Sequence, residues 1–247
     1  MAFNSFTFDG INSLNDGVYI TGEAVFNAPE RVVEMVSVPG RNGAIAVDQG
    51  RFENIDVTYP AGTFAEDQVG YADKIASLRN KLLSRYTYVR LTDSYNPNEY
   101  RMALYRSGLE VESVSAVKAG RFDITFDCKP QRWLVSGESP VSYTTSGSIT
   151  NPTLFPARPL LGVTGAGILT VGTQTMTIIA RSDPTNILYI DCESQEAWEI
   201  VGGNRLSRND YVQNAGVDFP SLAAGSNDVI LGTGITRVDI TPRWWRI

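Results

Sequence analysis

Residues 122–128 read FDITFDC, so Phe122, Ile124, Phe126 and Cys128 alternate with Asp123, Thr125 and Asp127. A period of two puts every second side chain on the same side of an extended chain. The stretch therefore predicts a β-strand with one apolar face against a core and one polar face. It is the cleanest alternation in the sequence, and Lys129-Pro130 ends it before Trp133. A strand of this kind belongs to an antiparallel sheet covered on one side, and its register is fixed by the buried set.

Upstream, Phe3–Tyr59 is a series of short alternating runs broken by Gly, Asn and Asp. Val32, Glu34, Val36 and Val38 fall on one strand face, with Val33, Met35 and Ser37 on the other. Pro39, Gly40, Arg41, Asn42 and Gly43 follow, then an extended run over Ala44–Val47 and a second turn at Asp48-Gln49-Gly50. Phe52–Tyr59 alternates again, with Ile55, Val57 and Tyr59 opposed to Asp56 and Thr58. Proline presets φ for the first central position of a turn and glycine accepts the positive φ of the second, so the reading is a meander of hairpins. The glycines also raise the question of a phosphate loop. A Walker loop needs Lys followed by Ser or Thr, and a dinucleotide loop needs G-x-G-x-x-G. Both must open a helix whose amides face the phosphate. Val38–Gly43 runs into another strand and is read as a turn.

One helix is predicted over about residues 64–86. Thr63-x-x-Glu66 has the spacing of a capping box, and Val69, Ala72, Ile75, Ala76, Leu82, Leu83 and Tyr86 recur at helical intervals. Lys81 and Arg85 suit the negative end of the dipole. Strands are expected again over Tyr88–Thr92, Tyr100–Arg106 and Leu109–Val117, with a turn at Asn96-Pro97-Asn98.

Ser136–Thr150 is small, polar and rich in Ser, Thr and Gly, which places a domain boundary there, between domains 1–137 and 138–247. Beyond it no helical period is found. Short strands are expected over Leu160–Val163, Ile168–Val171, Thr175–Ile179, Ile187–Cys192, Ala197–Ile200, Asp228–Leu231 and Thr236–Arg243. Their spacing suits a β-sandwich or jelly roll.

Composition narrows the function. The 247 residues carry a net charge of −6 and no histidine. That removes Ser-His-Asp and Cys-His nucleophiles and HExxH zinc sites, and the acidic balance argues against specific nucleic-acid binding. No apolar run reaches the ~20 residues of a membrane helix, so membrane insertion is not expected. The start MAFNSFTFDG has no basic segment before an apolar one, so synthesis and folding in a cytoplasm are expected. Cys128 and Cys192 lack metal-knuckle spacing and are read as small buried hydrophobes, with a single disulfide as the alternative.

Several separated segments resemble the distal tail protein (Dit) family of siphophages. The N-terminal half is similar through FDGIN, through V-P-G-R-N-G followed by D-Q-G-R-F-E-N, through the single helix, and through F-D-C-K-P-Q-R-W at the exit. In the C-terminal half the similarity lies in Asn151-Pro152 with Pro159, in ILYIDCES, in FPSLAAGSND and in the closing RWW. The resemblance implies a mainly β protein, with an N-terminal ring-forming β-domain carrying one helix and a C-terminal galectin-like β-sandwich. It further implies a virion structural protein of the tail tip that assembles with itself into a hexameric ring. The ring would be a baseplate hub joining the tail-tube protein to the tail-associated fibre or lysin protein, and in some phages to the receptor-binding protein. Neither an enzymatic activity nor a cofactor is implied.

On that reading Pro39, Gly40, Arg41, Asn42, Gly43 and Arg51 are candidate contacts to a neighbouring subunit, through a hairpin that adds its edge to another sheet. Ordinary solvated turn charge is the alternative. Trp198, Trp244 and Trp245 are candidates for a sugar or partner surface, which would make the sandwich a carbohydrate-binding module for host cell-wall saccharide. Adjacent Trp244 and Trp245 must face opposite ways in a strand, so one of them is expected in the core. Asp191-x-Glu193-x-x-Glu196 has carboxylates for Ca²⁺ but not the EF-hand spacing, and reads as a solvated loop. A carboxylate-pair glycosidase needs no histidine, but no spacing marks such a pair.

Overall fold

The computed structural model describes residues 3–24, 26–114, 119–214 and 218–247. The chain divides into two compact units, Met1–Arg132 with Ile247, and Trp133–Arg246.

The first unit is built on Ala119–Cys128, which pairs antiparallel with Ile55–Phe64 along its whole length. Phe122 faces Ala61, Ile124 faces Tyr59, Phe126 faces Val57 and Cys128 faces Ile55. All eight side chains are buried, as the alternation requires. On the opposite face Thr58 and Thr125 share a hydroxyl hydrogen bond of 2.9 Å. Glu99–Leu104, Val89–Asp93, Phe6–Phe8 and Ile11–Asn12 extend the sheet beyond Ala119–Cys128, and Val18–Ile20 extends it beyond Ile55–Phe64. Phe126 is fully buried among the rings of Phe6, Phe8, Tyr59 and Tyr105, with centroids 5.0–6.1 Å away. Burial, then the neighbouring Asp93 carboxylate, raise the Tyr59 phenol far above its ordinary range, and its hydroxyl donates to Asp93 Oδ2 at 2.8 Å. Of the expected strand Leu109–Val117, Glu112–Val114 is a strand and 115–117 lie outside the described residues.

The single helix runs over Gln68–Leu83, shorter than expected. Its cap is Asp67, whose carboxylate accepts the Gly70 N–H at 2.7 Å, and not Thr63. Thr63 is buried in the strand Ile55–Phe64 and donates to the Gly17 carbonyl at 2.9 Å. The strand continues past the point where the capping box was read because Val18–Ile20 and Ala119–Cys128 pair with it on both sides. The buried stripe is Tyr71, Ile75, Leu78 and Leu82, while Val69, Leu83 and Tyr86 are exposed. Lys81 and Ser77 both donate to the mostly buried Asp16, at 2.5 and 2.9 Å, tying the helix to the sheet side.

Among the described residues Arg31–Ser37 and Ala44–Phe52 pair only with each other, forming a separate two-stranded arm. The expected turn at Asp48-Gln49-Gly50 is absent, because Ala44–Phe52 runs through it as one strand. The register slips between Arg31 and Val33, and Gly50, at φ 70°, takes up the irregularity while its N–H donates to Asp48 Oδ1. Between those pairs Gln49, Gly50 and Arg51 lie opposite Val32 alone, which makes a bulge, and a bulge carries the same residues as a turn.

The second unit is two antiparallel sheets facing each other. The larger has the order Val141–Tyr143, Ile235–Thr241, Leu160–Gly165, Leu188–Asp191, Glu196–Val201, Asn204–Ser207. The smaller has the order Gly147–Asn151, Gly225–Leu231, Gly167–Val171, Gln174–Ile178, Val212–Asn214. Leu161, Val163, Leu188, Ile190, Val238 and Ile240 from one sheet share a core with Leu169, Val171, Met176, Ile178 and Val229 from the other. The polar stretch in which the domain boundary was expected supplies Val141–Tyr143 and most of Gly147–Asn151, one edge strand to each sheet. Cys128 and Cys192 are both buried free thiols, which burial pushes up to about 12. Among the described residues no helix is long and apolar enough to cross a membrane.

Candidate functional site

The arm presents its side chains to solvent along almost its whole length. Val33, Met35, Val36, Val38, Ile45 and Val47 are all exposed, Met35 at 63%. Met35 pairs with Ala46 on one face and Val36 with Ile45 on the other, so both faces of the ribbon are apolar. An isolated two-stranded hairpin is marginal in water, and exposed apolar strands with free edges are normally avoided. Such a surface calls for a partner.

At the tip, the Arg41 N–H donates to the Val38 carbonyl at 3.1 Å around Pro39 and Gly40. Gly40 has φ 80°, which suits glycine at the second central position of a type II turn. Pro39, Gly40, Arg41, Asn42 and Gly43 are thus brought together at one exposed tip. Arg51 lies near the other end of the arm, paired with Glu53 at 3.1 Å, and both side chains are more than half exposed. Arg31 pairs with Asp48 at 2.5 Å and stacks over Phe52, and its hydrogen bond holds the Asp48 carboxyl below the usual range. These exposed pairs contribute little to stability. The informative residues are the valines, Ile45 and Met35, which charge-centred reasoning passed over although their exposure on both faces carries the surface.

The three tryptophans do not form one platform. Trp244 is 6% exposed and packs in the core of the second unit. Trp245 stacks on Phe155 at 4.6 Å, and its indole N–H donates to the Pro156 carbonyl. Trp198 is on the outer face of the six-stranded sheet, between two neighbouring strands. Tyr189 stacks on it from one side at 5.7 Å, and the Arg205 guanidinium lies over it at 3.7 Å from the strand on the other side. Trp198 also lines an open groove with Glu196, Arg205, Ser207 and Asn209. Asp191 is committed. Arg243 donates to both of its oxygens, at 2.8 and 2.9 Å, and its Oδ1 accepts the Glu193 and Ser194 N–H groups of the hairpin turn. Burial raises the Asp191 carboxyl, but the Arg243 bonds and those amides outweigh it and hold it below the usual range. Among the described residues no group of three or more Cys, Asp or Glu is placed to hold a metal.

Residues 11–128 match the model of the phage tail protein RIFT-related domain. The whole chain superposes on the SPP1 Dit (gp 19.1) protein, described as a paradigm of the hub adsorption apparatus of phages infecting Gram-positive bacteria. The TM-score is 0.76 at 14% identity, over 100% of both chains. A chain of the phage P2 baseplate in its activated conformation with Ca matches at TM-score 0.55 and 11% identity, over 97% of this chain and 98% of that one. A chain of the same baseplate with Sr matches at 0.52 and 12%, over 100% and 99%. No curated protein matches the sequence. The fold is that of siphophage Dit hub proteins, in agreement with the resemblance read from the sequence.

Proposed function

We propose that this chain is a structural component of a siphophage tail tip, a hub that closes into a ring of six through the arm over residues 31–52. The single observation that carries this reading is an arm apolar on both faces with no core of its own. A neighbouring copy supplies the missing cover. Because the arm of one copy meets a different surface on the next, the interface is heterologous and closes by rotation. Pro39–Gly43 forms the leading tip, and Arg51 sits near the base of the contact. The ring joins the tail-tube protein on one side to the fibre or lysin protein on the other, with the second unit facing peripheral proteins such as a receptor-binding protein. No reaction is assigned to it. The chain is made in the host cytoplasm and ends in the virion.

The test is solution mass by light scattering, with negative-stain images. Six copies of the 27.0 kDa chain around a central hole are expected, and Met35→Glu with Ile45→Glu should reduce the particle to a monomer. A wild-type monomer that stays one at high concentration, and in the presence of a purified tail-tube protein, would refute ring closure by the arm.

A further inference from the structure

The helix Gln68–Leu83 carries two apolar lines where a surface helix needs one. Tyr71, Ile75, Leu78 and Leu82 are buried against the sheet. Val69, Ala72, Ala76 and Leu83 make a second line at helical spacing, and all four are exposed, Val69 at 70% and Leu83 at 60%. Arg79 stands on the same side, three residues after Ala76 and four before Leu83. Its guanidinium reaches the Leu109 carbonyl at 3.4 Å and has no carboxylate partner among the described residues.

One face of the arm has a matching composition. Val32, Glu34 and Val36 alternate onto it, Val38 follows at the strand end, and Val47 and Ile45 stand opposite Glu34 and Val36. The charge among them is Glu34, which accepts from Gln49 Nε2 at 3.3 Å and has no basic partner among the described residues. A strand advances about 3.4 Å per residue and a helix about 1.5 Å, so the two surfaces can be laid against each other. Set Glu34 on Arg79, with the tip of the arm toward the start of the helix. Val32 then lies about 7 Å toward the base, over Leu83 at about 6 Å. Toward the tip, Val36 and Ile45 at about 7 Å fall between Ala76 and Ala72, at about 4.5 and 10.5 Å. Val38 at about 14 Å reaches Val69 at about 15 Å. The widest pair of the arm thus sits over the lowest part of the helix. In the reverse direction Val36 and Ile45 would strike Leu83, and Val38 would run past the helix end.

We infer that the helix face Val69–Leu83 of a second copy of this chain receives the arm, with Glu34 of one copy paired to Arg79 of the next. This rests on the reading of the arm as a contact between copies and names the surface it meets. A sheet face and a helix face, each apolar and each uncovered, close on one another as two layers, and the charge pair fixes their register.

The test uses the whole chain. Glu34 and Arg79 are exposed, so Glu34→Arg and Arg79→Glu should each leave circular dichroism unchanged. Each should raise the concentration of half-assembly on the order of tenfold, and the double variant should recover most of that loss. Val36→Cys with Ala76→Cys, treated with a short bismaleimide, should give a ladder of covalent multimers on a denaturing gel. Val36→Cys with Leu83→Cys should not, and the buried Cys128 and Cys192 take no part. If the wild type forms the six-copy particle but the ladder is not specific to the Ala76 pair, or the double reversal is no better than the single ones, this contact is overturned and the ring stands. A wild-type monomer whose Ala76 pair still gives a ladder at high concentration would refute ring closure and keep the contact. A monomer with no ladder would refute both.

Discussion

Replacing Phe126 by alanine tests whether the alternation that starts the fold also holds it together. Phe126 is fully buried, and four other rings stand 5.0–6.1 Å from its centroid, three of them edge-on. Truncating a buried phenylalanine costs about 3–5 kcal/mol, and the lost edge-to-face contacts put this site toward the upper part of that range. Domains of this size are stable by about 5–15 kcal/mol, so the first unit would lose a large share of its stability. Phe126→Leu keeps part of the volume and should lose about 2 kcal/mol at ~0.8 kcal/mol per methylene. Urea unfolding followed by circular dichroism measures both. The dichroism transition of both variants should move to lower urea, further for the alanine than for the leucine variant. A loss below about 1 kcal/mol for the alanine variant would show that the five-ring cluster is not the centre of the first unit.

Asp67→Ala should destabilise the first unit by about 1 kcal/mol through loss of the helix cap, as read by the same urea titration. Thr63→Val should lose a comparable amount, but through the buried bond to the Gly17 carbonyl, leaving helix content at low urea unchanged. Cys128 and Cys192, with thiols near 12, should resist iodoacetamide in the native chain at neutral pH, and mass spectrometry should show two alkylations only after denaturation. Asp191 has a folded-state carboxyl below its unfolded value, so its contribution to stability is present above the ordinary carboxylate range and is lost as pH falls through the folded value. Arg243→Ala should therefore destabilise the chain at pH 7 and flatten the acid limb of its stability curve.

Much of the β architecture was legible because burial enforces it. All seven strands expected in the C-terminal half are present with ends within three residues, and the inward set of Ala119–Cys128 is as the alternation says. The misreadings share one cause, which is that local signals were decided by distant pairing. Thr63-x-x-Glu66 has the letters of a cap, but two neighbouring strands hold Thr63 in the sheet. Asp48-Gln49-Gly50 has the letters of a turn, but the partner strand Arg31–Ser37 carries the chain through it. On the helix the periodic set held Ile75 and Leu82 of the buried stripe but not Tyr71 and Leu78, and it added the exposed Val69, Leu83 and Tyr86.

The surfaces were harder to see, for a related reason. Whether an aromatic ring can bind depends on what covers its two faces, and for Trp198 those covers come from Tyr189 and Arg205 on the flanking strands. The indole that composition singles out is flanked by both and lines an open groove with Glu196, Ser207 and Asn209, none of which its local sequence distinguishes. The arm makes the same point in the opposite sense. Alternating valines predict a strand with a buried face, and within this chain no core covers either face. A sequence pattern states that a face must be buried without stating by which molecule. An apolar alternation that the chain's own fold leaves exposed is thus the clearest mark of assembly that this sequence carries.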